Sequence, residues 1–211
     1  MRLRKILKII DKNYKPAPNN TYADFGCSNG YITSIVKDRY NMKAFGFDRN
    51  KENLILAKNK YPDIQFSTVD LNETINNNKY SLITCLETLE HVGNLKIALD
   101  NLINANNGFL LITVPIEIGL IGLMKFIVKT MIYGYTLKEL KAETKKYFLS
   151  LLFGERISKY RENRPGWGTH FGFDYRDIDD HLSFRNVNHK AFNRDITRFY
   201  IIKHQPQMYY R

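Results

Sequence analysis

The sequence predicts an α/β fold, in which a doubly wound, mostly parallel β-sheet carries a helical insertion after its fifth strand. Residues 21–115 alternate short apolar runs with helix-like patterns, as stacked βαβ units do. Residues 116–170 interrupt this alternation with a long apolar and basic stretch. Two further β-rich runs follow within residues 185–203, and their short connection predicts an antiparallel hairpin that closes the sheet.

Length, cysteines and charge bound the architecture. A chain of 211 residues with 44% apolar content has room for one sizeable core, so we expect a single domain over residues 1–211. The two cysteines, Cys27 and Cys85, form no CxxC pair, which favours neither a disulfide framework nor structural zinc and suits a reducing cytoplasmic location. The net charge of +11 lies mainly in residues 1–15 and in the insertion. Such surfaces suit an anionic substrate, a nucleic acid or a lipid surface, or they are simply solvated.

The elements before the insertion follow from apolar periodicity and turn residues. Residues 1–15 predict a short amphipathic helix, since Lys5 and Lys8 interrupt the apolar core that a signal peptide requires. Asn94 predicts the cap of the helix before the fifth strand, and Asn106-Asn107-Gly108 predict a left-handed end for that helix. The five parallel strands are predicted at residues 21–25, 43–47, 64–69, 80–86 and 108–114.

The insertion, residues 116–170, predicts a helical lid or an interfacial surface. Residues 118–135 are mostly apolar, but burying Lys125 or Lys129 in lipid would cost roughly 2.5–3.5 kcal/mol each. We therefore do not expect a membrane span. Residues 136–139 have the form of a capping box, which predicts that a basic amphipathic helix begins there.

Two interpretations of the insertion's surface remain open. The lysines mixed with large apolar side chains in residues 118–152 suit a contact with a membrane surface. Alternatively, residues 118–135 pack on the core of the domain itself or on a second subunit. Packing on a second subunit would make the protein a homodimer.

The chain after the insertion predicts a helix and the hairpin. Asp174 is suited to cap the helix. Residues 185–192 and 196–203 predict the two strands, joined by a turn at residues 193–195.

The loop after the first predicted strand, DFGCSNG at residues 24–30, lies where a doubly wound sheet binds ligands, beyond the carboxyl ends of the strands. A dinucleotide fingerprint requires glycine at the positions of Ser28 and Tyr31, and a P-loop requires Gly-Lys-Ser/Thr, so neither phosphate-binding motif is present. The pattern Asp-x-Gly-Cys-x-x-Gly instead resembles motif I of the class I S-adenosylmethionine-dependent methyltransferases.

The resemblance extends along the predicted sheet. Asp48 lies 18 residues after Gly30, at the second strand tip, where the family's acidic residue accepts the ribose hydroxyls. Asp70 lies at the third strand tip, where the family's acidic residue contacts the adenine amino group. Residues 86–92, LETLEHV, are similar to the E-x-L-E-H-V signature of the branch that contains the ubiquinone-biosynthesis O-methyltransferases. Either aspartate alone would be a plain strand-end turn residue, but their joint spacing favours the functional interpretation.

The resemblance implies a Rossmann-like sheet of seven strands in the order 3-2-1-4-5-7-6, with S-adenosylmethionine as cofactor and S-adenosylhomocysteine as its product. Asp24 is expected to bind the ammonium group, directly or through water. Ser28 replaces the family's middle glycine, and we expect ordinary backbone angles there because a non-glycine residue disfavours a positive φ. The implied cofactor-binding residues are Asp24, Gly26, Cys27, Ser28, Gly30, Asp48, Arg49, Asp70, Leu71, Leu86 and Glu87.

Two histidines are candidate catalytic bases, since methyl transfer to an oxygen requires removal of a proton. His91 follows the fourth strand, and His170 lies in a stretch similar to the H-x-G-F-D-Y sequence of some sugar- and envelope-cluster relatives. Each also has a structural interpretation, His91 as a loop cap and His170 as a hydrogen-bonding side chain. The sequence contains no evident metal-ligand spacing, so we predict no metal site.

The sequence indicates less about the acceptor of the methyl group than about the methyl donor. The Asn/Asp-Pro-Pro-Tyr motif of adenine N6-methyltransferases is missing after the fourth strand, where Cys85-Leu86-Glu87-Thr88 stands. We therefore expect a methyltransferase that acts on a small-molecule acceptor, through an oxygen of a glycan, lipid-linked or quinone-like compound, in the cytoplasm and with a peripheral membrane contact. The alternative is an RNA-directed methyltransferase or a non-catalytic cofactor-binding protein, because basic charge gives affinity for RNA.

Overall fold

A computed structural model of the chain describes residues 2–17, 19–75, 78–133, 144–161 and 170–204. Seven strands of the described chain form one sheet in the order β3-β2-β1-β4-β5-β7-β6, which confirms the predicted Rossmann-like topology. The first five strands pair in parallel, and β7 pairs antiparallel with both β5 and β6. The strands are β1 (Thr21–Phe25), β2 (Lys43–Asp48), β3 (Gln65–Thr68), β4 (Tyr80–Leu86), β5 (Asn106–Pro115), β6 (His189–Arg194) and β7 (Thr197–Lys203).

Helices connect the strands and form the insertion. The described α-helices are α1 (Arg2–Asn13), α2 (Tyr31–Tyr40), α3 (Lys51–Lys60), α4 (Leu95–Ala105), α5 (Gly119–Tyr133), α6 (Thr144–Leu152) and α7 (Arg176–Phe184). Short 3₁₀ turns lie at Leu89–His91 and Ser158–Tyr160.

The sheet is covered on both faces, which explains why its central strands are apolar along their whole length. Helices α1, α2 and α3 cover one face, where Ile10, Val36 and Leu54 are buried. Helices α4 and α7 cover the other face, where Leu99 and Ile178 are buried. In such a doubly wound arrangement, a ligand binds beyond the carboxyl ends of the strands, at the loops that follow β1, β2 and β4.

The predicted cap at Asn94 is confirmed, whereas the N-cap position of α7 is occupied by Tyr175, one residue after the predicted Asp174. The side-chain oxygen of Asn94 accepts a hydrogen bond from the backbone N–H of Ile97 at 3.2 Å, in the first turn of α4. The carboxylate of Asp174 accepts from the backbone N–H of Arg176, the first residue of α7, at 3.1 Å. Both side chains satisfy N–H groups that a helix end leaves without an intrahelical partner.

The predicted left-handed end of α4 is wrong. Asn106 has extended backbone angles, φ −77° and ψ 121°, and the chain passes from α4 directly into β5. Gly108 is required for a different reason, since a Cβ at this position would lie 2.3 Å from the carbonyl oxygen of Ser81. The glycine therefore permits the close approach of β5 to β4 instead of ending a helix.

The strand predictions hold for β1 and β4, whose bounds are those predicted, and differ most at the hairpin. The backbone N–H groups of Arg185 and Asn186 still bond to carbonyl oxygens of α7, so β6 begins only at His189. The turn follows at Asp195, whose φ is 55°, instead of spanning residues 193–195.

The insertion has a small core of its own. Side chains from α5, α6 and the 3₁₀ turn that follows them pack together, and the predicted capping box at residues 136–139 lies outside the described residues. Among the residues that the structure describes, no helix combines the length and the apolar character that a membrane crossing requires. The buried members of this core are Leu123, Tyr147, Leu151, Ile157 and Tyr160.

Candidate functional site

The glycine turn between β1 and α2 is tied to the neighbouring strand. The backbone N–H groups of Gly26 and Cys27 donate to the carbonyl oxygen of Phe47 at 2.7 and 3.0 Å. Gly26 has φ +80°, and a Cβ there would lie 2.0 Å from Oγ1 of Thr88, in the loop after β4. Gly30, with φ 76°, starts α2. Both glycines of the motif are therefore required by left-handed backbone and by close contacts, since a Cβ at Gly30 would lie 2.6 Å from Cζ of Phe66.

The prediction of ordinary backbone angles at Ser28 is wrong, since its φ is 49°. Two hydrogen bonds hold this conformation: the Ser28 backbone N–H donates to Oδ2 of Asp48 at 2.8 Å, and Nδ2 of Asn53 donates to the Ser28 hydroxyl at 3.3 Å. Glu87, in the loop after β4, also has a positive φ, of 51°. Non-glycine residues in this region carry strain of order 1 kcal/mol or more, and such strain concentrates at functional sites.

Asp48, at the tip of β2, joins two loops. Its Oδ2 accepts from Ser28 and its Oδ1 accepts from the backbone N–H of Asn50, both at 2.8 Å. A carboxylate has about four acceptor positions, so Asp48 keeps capacity for about two more donors. Its position at the wall of a cleft makes hydroxyl groups of a ligand suitable donors.

A cleft of about 640 Å³ opens between the loops that follow β1, β2 and β4. This volume lies within the usual range for small-molecule sites. The cleft contains six of the predicted cofactor-binding residues and one of the two candidate bases. Its lining consists of Phe25, Gly26, Ser28, Phe47, Asp48, Arg49, Asn50, Asn53, Val69, Leu71, Glu87, Thr88 and His91.

Asp24, another predicted cofactor-binding residue, lies beneath the glycine turn. Its carboxylate is 3% exposed and accepts hydrogen bonds from the hydroxyls of Thr33 and Thr84, each at 2.7 Å. Because Thr84 donates to Asp24, its oxygen accepts in turn from the buried Tyr22 hydroxyl at 2.6 Å. Burial raises the pKa of Asp24 to about 6. Asp24 thus supports the loop from inside, and its contact with an ammonium group stays a prediction.

The other predicted cofactor-binding residues surround the cleft without lining it. Asp70 accepts from the backbone and side-chain N–H groups of Asn72 at 2.9 and 2.8 Å, and its second oxygen lies 3.5 Å from Nε of Arg49. Leu86 packs on the α1–α3 side of the sheet. Cys27 is a buried free thiol whose pKa burial raises, as is Cys85 on β4. Their roles toward a cofactor stay predictions.

The structure brings both candidate bases together at one end of the cleft. Nε2 of His170 lies 3.2 Å from Nε2 of His91, and Nδ1 of His170 lies 2.9 Å from a carboxylate oxygen of Glu117. Glu117 follows β5, His91 follows β4, and His170 precedes α7. The three side chains form a chain of contacts that ends at the cleft wall, where His91 lies.

Two charged residues that were not predicted as site residues lie behind this chain, the buried Glu90 and the partly buried Arg161. Glu90 is 1% exposed, and burial together with the carboxylates of Glu87 and Glu117 raises its pKa to about 8. The guanidinium of Arg161 donates to the carbonyl oxygens of Glu90 and Val92, on either side of His91. Burial lowers the pKa of Arg161. The position of Glu90 directly before His91 in the ETLEHV signature was the available signal.

The structure brings together three potential metal ligands that no spacing in the sequence indicated. Glu90, His91 and His170 each present a ligand-type atom, and these atoms all lie within 4.8 Å of one another. His170 comes 79 residues after His91 in the chain, so no local motif could show this grouping.

Known methyltransferases are similar to this chain both in sequence and in fold. A family model described as a methyltransferase domain matches residues 2–147. The protein 235L of Invertebrate iridescent virus 6 is 29% identical over 92 residues, which cover 42% of this chain and 34% of that protein. The ubiquinone biosynthesis O-methyltransferase of Rickettsia prowazekii (strain Madrid E) is 28% identical over 108 residues, which cover 49% of this chain and 42% of that protein. The chain thus spans less than half the length of these two relatives.

Among solved structures, the magnesium protoporphyrin IX methyltransferase ChlM from Synechocystis PCC 6803, determined with bound S-adenosylhomocysteine, superposes with a TM-score of 0.60. The sequence identity is 14%, and the match covers 97% of this chain and 82% of that one. This likeness concerns the fold. Because the family model covers most of the chain, including every strand of the parallel sheet, the protein belongs to the family of methyltransferase domains.

Proposed function

We propose that the protein transfers a methyl group from S-adenosylmethionine to an oxygen of a small-molecule acceptor. The observation that carries this proposal is the Glu117–His170–His91 chain of contacts, which ends at the wall of the cleft. Methylation of a hydroxyl in a cleft that holds a methyl donor requires a general base that removes the hydroxyl proton.

The residues of the cleft fit S-adenosylmethionine. The two left-handed glycines let the backbone approach a ligand, and the Asp48 carboxylate keeps acceptor positions for ribose hydroxyls. Phe47, Val69 and Leu71 provide an apolar wall for an adenine ring. The motif has no P-loop lysine, and Ser28 stands where a dinucleotide fingerprint has its middle glycine, whereas a sulfonium cofactor has no phosphate to bind.

The histidines provide the proton transfer. If Nδ1 of His170 carries its proton toward Glu117, then Nε2 of His170 is an acceptor and Nε2 of His91 is the donor between the two rings. His91 would take the acceptor's proton on its other ring nitrogen, Nδ1, while its Nε2 proton is shared with His170, and Glu117 stabilises the positive charge. The acceptor oxygen bonds to the methyl carbon, the carbon–sulfur bond breaks, and its electron pair stays on sulfur.

The insertion favours a lipid-linked or quinone-like acceptor over a soluble glycan. Helix α5 begins two residues after Glu117 and exposes a stripe of large apolar side chains at helical spacing, among them Leu120 (68% exposed), Met124 (63%) and Met131 (80%). Exposed apolar surface of this kind is unusual in a solitary soluble domain. Lysines 145 and 146 are exposed on the partner helix α6, so the surface suits an anionic membrane.

The test uses tritiated methyl S-adenosylmethionine with two sets of acceptors, a bacterial lipid extract and a soluble glycan mixture. We expect label in the solvent-extractable lipid fraction, in a product whose methyl ether resists mild alkali. Label in the glycan fraction alone would correct the acceptor class. Label in neither fraction, combined with salt-sensitive RNA binding or RNA methylation, would favour the RNA-directed or non-catalytic alternative.

A further inference from the structure

We propose that a groove between α4 and α7 is a second small-molecule site, which binds a phosphorylated sugar, either free or as part of a nucleotide. The groove has a volume of about 780 Å³, within the usual range for small-molecule sites. Its walls come from the start of α4, from α7 and from the end of the insertion, at Ser158 and Arg161. This proposal goes beyond the methyl transfer proposed above and does not depend on it.

The turn after β4 separates the groove from the cofactor cleft. Thr88 and His91 line the cleft, whereas Gly93 and Asn94, which follow them directly in the chain, line the groove. Within the described part of the chain, no residue lines both cavities. A ligand of the groove would therefore bind beside the cofactor and not in its place.

Two basic side chains that line the groove, Arg161 and Lys96, form no ion pair with any residue that the structure describes. The guanidinium of Arg161 donates through Nη2 to the carbonyl oxygens of Glu90 and Val92, and its Nη1 atom is buried without a described hydrogen-bond partner. Lys96 is exposed in the first turn of α4, where the helix dipole also favours an anion. Charged groups that are partly removed from water are ordinarily paired, so an anion in the groove would supply the partner that Arg161 lacks.

The three carboxylates that line the groove are each paired with another basic side chain. Asp100 lies 2.9 Å from Nε2 of the buried His181. Asp177 and Asp180 lie 2.7 and 2.8 Å from the terminal guanidinium nitrogens of Arg156. These pairs leave the lysine and the arginine described above for a ligand, and phosphate is an anion that both side chains recognise.

Hydroxyl groups and an apolar ring face suit the rest of the groove. Asp177 and Asp180 each contact Arg156 through one carboxylate oxygen, so their other oxygens can still accept from hydroxyl donors. Phe184, at the end of α7, is 83% exposed and lines the groove, where its ring can stack on a sugar or a base. A phosphorylated sugar combines the phosphate that the basic side chains require with the hydroxyl groups that the carboxylates accept.

The test titrates ribose 5-phosphate, glucose 6-phosphate and adenosine 5′-monophosphate separately into the full chain, by calorimetry. Saturating S-adenosylhomocysteine is present throughout, so that these compounds cannot be measured in the cofactor cleft. The wild-type protein is expected to bind one equivalent of at least one compound with a Kd below about 100 μM. Inorganic phosphate and unphosphorylated ribose are expected to bind at least tenfold more weakly. The compound that binds most tightly distinguishes a free sugar phosphate from a nucleotide.

Three variants test the two ends of the groove. Arg161→Gln is expected to weaken binding of the phosphorylated compounds at least tenfold, and Lys96→Ala about fivefold. Asp180→Ala is expected to weaken the sugar phosphates but not inorganic phosphate, because it removes only the acceptor for hydroxyl groups. Lys190→Ala, at an exposed lysine of β6 away from the groove, is the matched control and is expected to bind as the wild type does.

Thermal melting of each variant shows whether a loss of binding is a loss of fold. Absence of saturable binding of all three compounds to the wild-type protein would overturn the proposal, as would unchanged binding in both Lys96→Ala and Arg161→Gln. Inorganic phosphate that binds as tightly as the sugar phosphates would contradict the recognition of a sugar. The readout is binding, so a failure to find any methylated product would contradict the proposed function and leave this proposal standing.

Discussion

The cofactor cleft and the histidine cluster adjoin one another but are built in different ways. The cleft is held by backbone hydrogen bonds between loops that follow neighbouring parallel strands, such as those from Gly26 and Cys27 to Phe47. The cluster is held by side chains that the fold collects from distant segments, with 53 residues between Glu117 and His170 and 79 between His91 and His170.

This difference in construction suggests a division of roles, in which the cleft binds the methyl donor and the cluster acts on the acceptor. The cleft would bind its ligand through backbone groups and the Asp48 carboxylate, and these lie in short segments that local sequence motifs identify. The cluster depends on the insertion and on Glu117, which lies just before α5, so we expect it to determine acceptor specificity. Variants in the two regions should therefore differ in which step they damage.

The largest effect is expected from Gly26→Ala. The added Cβ would lie 2.0 Å from Oγ1 of Thr88, at a φ of +80° that alanine disfavours. We expect a loss of about 3 kcal/mol or more in the free energy of unfolding and at least a hundredfold loss of S-adenosylhomocysteine affinity, measured by denaturation and calorimetry. Gly154→Ala is the matched control, because Gly154 has φ +65° with no atom within 4 Å of the added Cβ. If both variants lose stability equally, the contact with Thr88 is not the cause.

Asp24 should make stability depend on pH. Its folded-state pKa, about 6, lies above the ordinary aspartate value of 3.8, so the folded protein holds this proton more tightly than the unfolded chain. The corresponding stability is present below pH 4 and lost as pH rises through 6, by up to about 3 kcal/mol. Denaturation of the wild type and Asp24→Asn between pH 4 and 8 should show this difference. A difference between the two proteins that does not change with pH would contradict the assignment.

Glu117→Gln should lower kcat about tenfold and leave the KM for S-adenosylmethionine unchanged. The amide keeps the shape of the side chain but cannot stabilise a positively charged His170 as a carboxylate does. A rise in KM for the cofactor at constant kcat would show that Glu117 contributes to cofactor binding, which would contradict the separate roles of the two regions.

The smallest effect is expected from Ser28→Gly. Glycine adopts the observed φ of 49° without strain, and its backbone N–H keeps the bond to Asp48. We expect a change of less than about 1 kcal/mol in stability, with S-adenosylhomocysteine affinity within threefold of wild type. Ser28→Val, whose branched side chain disfavours this φ, should lose more than tenfold. Equal affinity in both variants would show that backbone conformation at this residue does not control the cleft.

The parts of the molecule that could be predicted are those with local signals. Strand alternation and the resemblance at DFGCSNG, Asp48 and ETLEHV were sufficient for the sheet order, and most predicted cofactor residues lie at or beside the cleft. The backbone of Ser28 could not be predicted, because the bond that holds it comes from Asp48, 20 residues away. His91 and His170 were recognised singly, but their contact, and the participation of Glu117 and Glu90, depend on packing between segments that no sequence spacing relates.

The central claim is that the cleft binds the methyl donor and the cluster acts on the acceptor. The most direct test compares Asp48→Asn with His170→Ala in steady-state methyl transfer with S-adenosylmethionine as the varied substrate. We predict that Asp48→Asn raises the KM for S-adenosylmethionine more than tenfold, because the amide has no negative charge and replaces one acceptor oxygen by a donor. We predict that His170→Ala lowers kcat about a hundredfold with that KM unchanged. If both variants change the same parameter, or if His170→Ala retains wild-type kcat, the account is contradicted.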